Sequence, residues 1–185
     1  MPTEFSQPVT AFIALGSNLG NPEEHLRSAV RSLERLGKLN RISSFYETDP
    51  VGNVSQPDFL NAVVELQTTL RPEELLSALL EIEQEHGRDR STSPPKGPRT
   101  LDLDLLSQSD IVLMTPTLTL PHPALADRAF VLVPLAEIAP EWKHPINGKT
   151  AAQLLTELGF KKDDRFTGVR KFSSALPTTY KVLET

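Results

Sequence analysis

The stretch GPRTLDLD at residues 97–104 decides the fold of this chain, because leucine and aspartate alternate in it with the period of a β-strand. In such a strand the leucines point to one face, and Asp102 and Asp104 point to the other, with their Cα atoms about 7 Å apart. Two carboxylates at that distance repel each other by about 2 kcal/mol at an effective dielectric constant of about 20. Mg²⁺ relieves such repulsion, since it binds one or two carboxylates and completes its shell with water and phosphate. The pair therefore predicts half of a metal–phosphate site, and Arg99 supplies a guanidinium fork that suits phosphate.

The elements predicted around this strand follow a βαββαβ order. Apolar runs and capping residues predict a strand at 9–15, a helix from 22 to a stop at Gly37, strands at 39–48 and 59–68, a helix from 72 to Gly87, and the aspartate strand. This order is typical of a ferredoxin-like α+β sandwich with an antiparallel sheet. We expect both helices on one face of the sheet, with Asn61, Asp102 and Asp104 on the other face beneath loops.

The sequence after residue 108 gives weaker signals. A capping box at Thr150 predicts a short helix that ends at Gly159. Residues 160–185 show no period. We therefore expect one domain over residues 1–185, with a core over about 8–160, C-terminal additions, and a tail at 161–185 without an assigned element.

Composition excludes several classes of function. The formal net charge of −5 argues against a broad basic surface for nucleic acid, and the absence of cysteine excludes disulfides and thiolate metal sites. The N-terminus has no secretory signal pattern, and no apolar run reaches the roughly 20 residues of a membrane helix. The expectation is a cytoplasmic protein that binds neither membranes nor nucleic acid.

Five further residues are candidates for the site, each with an ordinary structural alternative. Arg88 and Arg90 follow the second helix, where they either interact with the helix dipole or reach outward to a phosphate. His122, between two prolines, is either a turn residue or a donor to a phosphate. Asn61 is either a satisfied sheet amide or a specificity contact, and Phe130, on an apolar run, is by default a core residue.

Taken together, several segments resemble the 6-hydroxymethyl-7,8-dihydropterin pyrophosphokinase family. They occur in family order over roughly residues 10–145, and the block at 97–104 is close to diagnostic. The matching segments are ALGSNLG at 14–20, SSFY at 43–46, QPDFLNA at 56–62, GR at 87–88, GPRTLDLD at 97–104, PHP at 121–123 and RAF at 128–130.

The resemblance implies a ferredoxin-like fold and an activity in folate biosynthesis, the transfer of diphosphate from ATP to the pterin hydroxymethyl group with release of AMP. It implies two Mg²⁺ ions held by Asp102 and Asp104, which with Arg88 and Arg99 form the catalytic set. The ATP-binding residues that it implies are Glu83, Arg88, Arg90, Arg99, Leu105, His122 and Arg128. The pterin-binding residues that it implies are Thr48, Val51, Phe59 (with Phe45 as an alternative), Asn61, Asp102 and Phe130.

Three positions depart from the family pattern. Lys96 and Pro123 stand where an aromatic residue is common, and Ser91 stands where a basic residue is common. Segments 48–57 and 90–97 are rich in proline and glycine, and we expect them to close over ATP in a monomeric enzyme.

Two alternatives stay open from the sequence. One is another Mg²⁺-dependent nucleotidyl- or phosphate-transfer enzyme on the same fold. The other is a ferredoxin-like module that binds RNA or a small regulatory ligand. An RNA-binding sheet face would carry exposed aromatic residues and positive charge, whereas this one carries two acids.

Overall fold

A computed structural model describes residues 4–50, 56–88, 97–159 and 168–172 of the chain. The elements in these ranges, in chain order, are β1 Glu4–Ser17, α1 Pro22–Leu33, β2 Lys38–Ile42, β3 Tyr46–Thr48, β4 Phe59–Leu70, α2 Pro72–Glu85, β5 Asp102–Gln108, β6 Leu113–Met114, β7 Thr119–Leu120, α3 Ala129–Ile138, α4 Ala151–Glu157 and β8 Val169–Lys171. None of the helices in these ranges has the length and apolar character needed to cross a membrane.

The main sheet is antiparallel and has the strand order β5-β1-β4-β3-β8, with β2 also paired to β4. Because β2 and β3 both pair with β4, they behave as two parts of one interrupted strand. With β2 and β3 counted as one strand, the sheet order β5-β1-β4-β2/β3 is the one expected of a βαββαβ sandwich. The predicted ferredoxin-like α+β fold is confirmed.

Helix α1 begins where the capping residues predict. The Asn21 side-chain oxygen accepts a hydrogen bond from the Glu24 backbone N–H at 3.2 Å, and Pro22 occupies the first turn. The helix ends at Leu33 rather than at Gly37. Gly37 instead lies where the chain passes close to β4, and a Cβ atom there would be 2.1 Å from the Gln67 carbonyl oxygen. Gly37 is therefore required by a close approach of backbones, not by a helix cap.

The two faces of the sheet carry different cores. On one face, apolar residues of β1, β4 and β5 pack against α1 and α2, as predicted. On the other, Phe12, Val63 and Leu106 pack against α3 and α4. The expectation of loops over this face is therefore only partly correct, because two helices cover part of it. Helix α3 was not predicted, since its sequence is almost uniformly apolar and includes Pro134.

The predicted strand 39–48 is interrupted at Ser43. The Ser43 backbone N–H donates to the Val63 carbonyl at 3.0 Å, and the Ser43 hydroxyl accepts from the Val63 N–H at 3.0 Å. The Glu137 carboxylate, on α3, accepts from the Ser44 N–H and hydroxyl at 2.7 Å each and from the Tyr46 hydroxyl at 3.2 Å. Side chains thus satisfy the backbone groups that the interruption exposes, and they tie α3 to β3.

The described residues after position 149 form two elements. Thr150 and Gln153 form the predicted capping box of α4. Strand β8 falls inside the stretch 161–185, for which the sequence predicts no element, and it extends the sheet beyond β3.

The contact at Gly37 generates a prediction about stability. We expect Gly37→Ala to lower the free energy of unfolding by about 2–3 kcal/mol, because a methyl group there forces two backbone segments apart. Gly148→Ala is the matched control, since Gly148 has a φ of +70° but nothing within 4 Å of its added Cβ. The control should cost only about 1 kcal/mol, from backbone conformation alone. Equal losses of the two variants in urea unfolding would contradict this assignment.

Candidate active site

The alternating strand β5 presents its two aspartates as predicted. Leu101, Leu103 and Leu105 are each no more than 3% exposed, within the core beneath α1 and α2. Asp102 and Asp104 therefore lie on the opposite face, with side chains 15% and 34% exposed. Two carboxylates thus stand side by side in a partly desolvated position.

The end of α2 brings a buried carboxylate and an arginine to β5. Gly87 takes a left-handed conformation with φ of +77°, so that its N–H bonds to the Gln84 carbonyl at 2.9 Å and the Arg88 N–H bonds to the Glu83 carbonyl at 3.0 Å. These are the two bonds of a Schellman cap. The Glu83 carboxylate, 1% exposed, accepts from the Leu103 N–H at 2.8 Å and from the Arg88 guanidinium at 2.9 Å. The cap thereby fixes Arg88 against β5.

Asp102 is held between two arginines. The Arg88 guanidinium bonds to Asp102 Oδ1 and also donates to the Leu101 carbonyl at 3.0 Å. Arg99 Nη2 lies 2.9 Å from Asp102 Oδ2. Since each carboxylate oxygen has its own cation, Asp102 is oriented and its charge is balanced.

Asp104 is less well compensated. Its nearest ion pair among the described residues is with Arg128, at 3.8 Å. Burial, followed by the negative charge of Asp102, raises the pKa of Asp104 above its usual 3.8, although His122, Arg128 and Arg99 oppose the change. Among the described residues, no cation lies closer to this carboxylate than Arg128.

His122 is oriented by two backbone bonds. The His122 backbone N–H donates to the Leu106 carbonyl at 2.8 Å, and the ring atom Nδ1 accepts from the Ala124 backbone N–H at 3.1 Å. Burial lowers the pKa of His122, while Asp104 acts in the opposite direction. Because Nδ1 is an acceptor, the neutral ring carries its proton on Nε2, which remains a donor for an incoming anion.

Three neighbouring strands place Asn61, Gly16 and Asp102 in one row. Gly16 of β1 is paired with Asn61 of β4 on one side and with Asp102 of β5 on the other. A Cβ atom at Gly16 would lie 3.1 Å from Asn61 Oδ1 and 3.9 Å from Asp102 Cβ. The absence of a side chain at Gly16 therefore lets the Asn61 amide and the Asp102 carboxylate lie on either side of it without crowding. The Asn61 amide nitrogen donates to the Thr48 hydroxyl at 2.7 Å, which extends this polar row onto β3.

Among the described residues, Phe59 and Phe130 each contact an arginine that faces one of the two aspartates. The Arg99 guanidinium lies 5.0 Å from the centroid of the Phe59 ring, and the Arg128 guanidinium lies 5.6 Å from the centroid of the Phe130 ring. Both distances are typical of cation–π contacts. Since Arg99 pairs with Asp102 and Arg128 faces Asp104, each carboxylate is connected to an aromatic ring through one guanidinium.

Asn18 is a residue of the site that sequence reasoning did not single out. Its side-chain oxygen accepts from the Arg99 N–H at 2.8 Å, and its amide nitrogen donates to Gln56 Oε1 at 3.1 Å and to the Pro57 carbonyl at 3.0 Å. It is only 2% exposed, so these bonds fix the backbone at Arg99 and the start of β4. The available signal was its place in the block ALGSNLG at 14–20.

Some of the candidate residues are not on this face. The side chains of Leu105 and Phe45 are buried in the core on the helix side. The Leu105 side chain therefore does not face the row, and of the two alternatives Phe45 and Phe59 only Phe59 borders it. Glu83 is buried behind Arg88 and positions it. Val51 and Arg90 lie outside the described residues, as do Ser91 and Lys96.

The described residues do not provide a complete metal cage. Within 4–50, 56–88, 97–159 and 168–172, no group of three or more His, Asp or Glu side chains is placed to hold a metal ion. Asp102 and Asp104 could supply two hard oxygen ligands. The other ligands of a magnesium ion would come from water and a bound phosphate.

Comparison with known proteins identifies relatives of the chain. The sequence model of the family described as "7,8-dihydro-6-hydroxymethylpterin-pyrophosphokinase (HPPK)" matches residues 12–140. A protein of Synechocystis named 2-amino-4-hydroxy-6-hydroxymethyldihydropteridine pyrophosphokinase is 44% identical over 160 residues, which are 85% of this chain and 80% of the relative. A Bacillus subtilis protein of the same name is 48% identical over 130 residues, 69% of this chain and 77% of the relative.

The fold is also found in solved structures. The crystal structure of wild-type Plasmodium falciparum HPPK-DHPS matches with a TM-score of 0.66 over 82% of this chain, at 17% sequence identity. The chain spans 43% of that structure's longer chain. At this identity the likeness shows the fold.

The environment of Asp104 generates a prediction about pH and stability. Because the pKa of Asp104 is raised, its ionised carboxyl destabilises the folded protein. This loss of stability is absent below about pH 3.8 and develops as pH rises through the raised pKa. We expect Asp104→Asn to raise the free energy of unfolding at pH 7 by about 1 kcal/mol, discounted for a side chain that is one-third exposed.

The advantage of the variant should shrink as pH falls toward 4, because the wild-type carboxyl then takes up its proton. Urea unfolding of both proteins between pH 4 and 8, without divalent cations, measures it. An Asp104→Asn protein less stable than wild type at pH 7, or an advantage independent of pH, would contradict this account of Asp104.

Proposed function

The chain belongs to the 7,8-dihydro-6-hydroxymethylpterin-pyrophosphokinase family, and from that premise we propose that the row Asn61–Gly16–Asp102 and its arginines form the active site of a pterin pyrophosphokinase of folate biosynthesis. The enzyme transfers diphosphate from ATP to the hydroxymethyl group of 6-hydroxymethyl-7,8-dihydropterin and releases AMP. The observation that carries this assignment to the site is the juxtaposition of the Asn61 amide with two carboxylates on one sheet face.

The pterin side of the site consists of Thr48, Asn61, Phe59 and Phe130. A pterin is a flat ring with donors and acceptors along its edge. An aromatic side chain binds such a ring by stacking, and an amide group recognises the edge of the ring through hydrogen bonds. Gly16 supports this placement, because it has no side chain to crowd the Asn61 amide. Guanidinium groups now cover Phe59 and Phe130, and a ring stacked on the same faces would displace Arg99 and Arg128 toward incoming phosphates.

The phosphate side consists of Arg88, Arg99, Arg128 and His122. The three arginines converge on Asp102 and Asp104, where a triphosphate and its counter-ions would meet. Guanidinium groups bind phosphate in a bidentate manner, and the His122 Nε2–H adds a neutral donor. Arg88 enters this group already oriented, since Glu83 and the Leu101 carbonyl hold it.

The two aspartates fit magnesium. Both are hard oxygen donors on one strand face. Asp104 is a partly buried anion whose nearest cation among the described residues is Arg128, at 3.8 Å, and a divalent ion would stabilise it. We assign Asp102 and Asp104 as ligands of two Mg²⁺ ions. When bound, magnesium would neutralise phosphate oxygens and favour attack at phosphorus.

The chemistry requires alignment and charge balance rather than a covalent contribution from the protein. The hydroxymethyl oxygen forms a bond to the β-phosphorus as the bond from that phosphorus to the AMP oxygen breaks, and the hydroxyl proton passes to water. Phe59, Phe130 and Asn61 hold the hydroxymethyl carbon toward Asp102. Arg88 and Arg99 stabilise the negative charge that develops on the departing oxygen.

We propose a monomer as the active unit. Because ATP is the co-substrate, we place the reaction in the cytoplasm. Other phosphate-transfer chemistries and RNA binding, open from the sequence, are not retained, since the family match covers residues 12–140 and includes the site.

A direct assay tests the proposed reaction. With ATP, 6-hydroxymethyl-7,8-dihydropterin and MgCl₂, AMP should form in equal amount to the diphosphorylated pterin. Chelation of magnesium should reduce the rate to background, because the two aspartates and the triphosphate then repel each other. Nucleotide chromatography measures the product, and ADP as the main product would reject diphosphate transfer.

Asp102→Asn separates the role of the carboxylate from that of the side-chain shape. We expect kcat to fall by about 100-fold or more, since removal of one transition-state contact of this kind costs about 3 kcal/mol. Asp110→Asn is the matched control, because Asp110 is an exposed residue just beyond β5 that bonds to the Ser109 hydroxyl. Near-wild-type turnover of Asp102→Asn at saturating Mg²⁺ would exclude Asp102 as a metal ligand.

A further inference from the structure

Strand β8 lies beyond residues 12–140, which the family model matches, yet it borders the pterin side of the site. It pairs with β3, so that Val169 stands opposite Thr48. Two further backbone bonds extend the pairing: the Asp49 N–H donates to the Gly168 carbonyl at 3.0 Å, and the Phe172 N–H donates to the Phe45 carbonyl at 2.8 Å. β8 therefore covers the open edge of the strand that carries Thr48.

Arg170, in the middle of β8, joins the two ends of the connection between β3 and β4. Its Nη1 lies 2.9 Å from Asp49 Oδ1, and its Nη2 lies 2.8 Å from Asp58 Oδ2. Asp49 directly follows Thr48, and Asp58 directly precedes Phe59. One guanidinium thus connects the residues next to two members of the proposed pterin site.

The charges make this contact more than one exposed ion pair. Glu47 Oε2 is also 3.9 Å from Arg170, so three carboxylates surround a single cation. Without Arg170 the three acids would repel one another, and Asp49 and Asp58 would move apart. Arginine suits the position because its planar fork can bond to two separate carboxylates at once.

Gly168 provides an independent observation. It has a φ of +64°, and a Cβ atom there would lie 2.8 Å from Asp49 Oδ2. The Asp49 carboxylate therefore packs directly against the Gly168 backbone while it pairs with Arg170. A larger residue at position 168 would push Asp49 out of this arrangement.

From these contacts we propose that Arg170 is a positioning residue, which holds Asp49 and Asp58 together and thereby keeps Thr48, Phe59 and Asn61 in place for the pterin. The inference rests on the proposed function. Thr48 and Phe59 are directly paired, and the Asn61 amide bonds to the Thr48 hydroxyl. A separation of the two strand ends would therefore disturb both the polar contacts to the pterin edge and the Phe59 ring that stacks on the pterin.

The first test needs no substrate. Amide hydrogen exchange of the full chain should be faster at residues 46–49 in Arg170→Ala than in wild type, because the Asp49 N–H and its neighbours lose a fixed partner strand. Lys149→Ala is the matched control. It removes the Lys149–Glu157 ion pair at 2.7 Å, which is similarly exposed. The side chains of that pair are 45% and 54% exposed, and those of Arg170 and Asp49 are 47% and 60% exposed.

The second test is kinetic. Arg170→Ala should raise KM for the pterin by about three- to tenfold, with KM for ATP and kcat within about twofold of wild type, because only the pterin contacts are displaced. Arg170→Lys should give an intermediate KM, since lysine keeps the charge without the fork. The double variant Arg170→Ala/Asp58→Asn should have a lower KM for the pterin than Arg170→Ala, because it removes the repulsion between Asp49 and Asp58. Lys149→Ala should match wild type.

The outcomes separate the two proposals. A wild-type protein that forms no AMP with the pterin contradicts the proposed function, whereas the exchange data still decide whether Arg170 holds β3. Unchanged exchange at residues 46–49 overturns the inference, as does an active Arg170→Ala enzyme with an unchanged KM for the pterin. Equal increases in both KM values would also overturn it, because they would indicate a general loss of structure.

Discussion

The rest of the site depends on the ion pairs that hold Asp102 between Arg88 and Arg99. They exist because three separate segments end at the same place: the left-handed cap of α2 delivers Arg88, the backbone bonds of Asn18 fix Arg99, and the leucine–aspartate alternation points Asp102 away from the core. A buried carboxylate, Glu83, stabilises Arg88 from behind. Partly buried charges are stable only when paired in this way, so each part of the network requires the others.

This arrangement has an uneven distribution of charge. Asp102 has two close guanidinium partners, whereas the pair of Asp104 with Arg128 is longer, at 3.8 Å. A site that binds a triphosphate together with divalent cations needs both signs, because anions and cations arrive together. The arginines that now neutralise Asp102 and cover the aromatic rings are the same groups that could transfer to phosphate. Substrate binding would then exchange ion-pair partners rather than create isolated charges.

The sequence predicts the elements whose pattern is local. β5, the start of α1 and the Gly87 stop of α2 follow from alternation, apolar spacing and capping residues, and the resemblance to a family indicates which side chains meet. Three features depend on tertiary contacts and could not be predicted. The interruption at Ser43 is set by its bonds to Val63, α3 has no polar face to give it a period, and β8 is stabilised by its pairing with β3. Leu105 illustrates a limit of the resemblance, which implies a contact with ATP, whereas the alternation in β5 directs the Leu105 side chain into the core on the helix side.

Glu137 has a consequence for how the molecule can move. Through Ser44 and Tyr46 its carboxylate fastens α3, which carries Phe130 in its first turn, to the strand that carries Thr48. Glu137 thus couples Phe130 to Thr48 through one carboxylate. A displacement of α3 would therefore move the aromatic and the hydrogen-bonding parts of the site together.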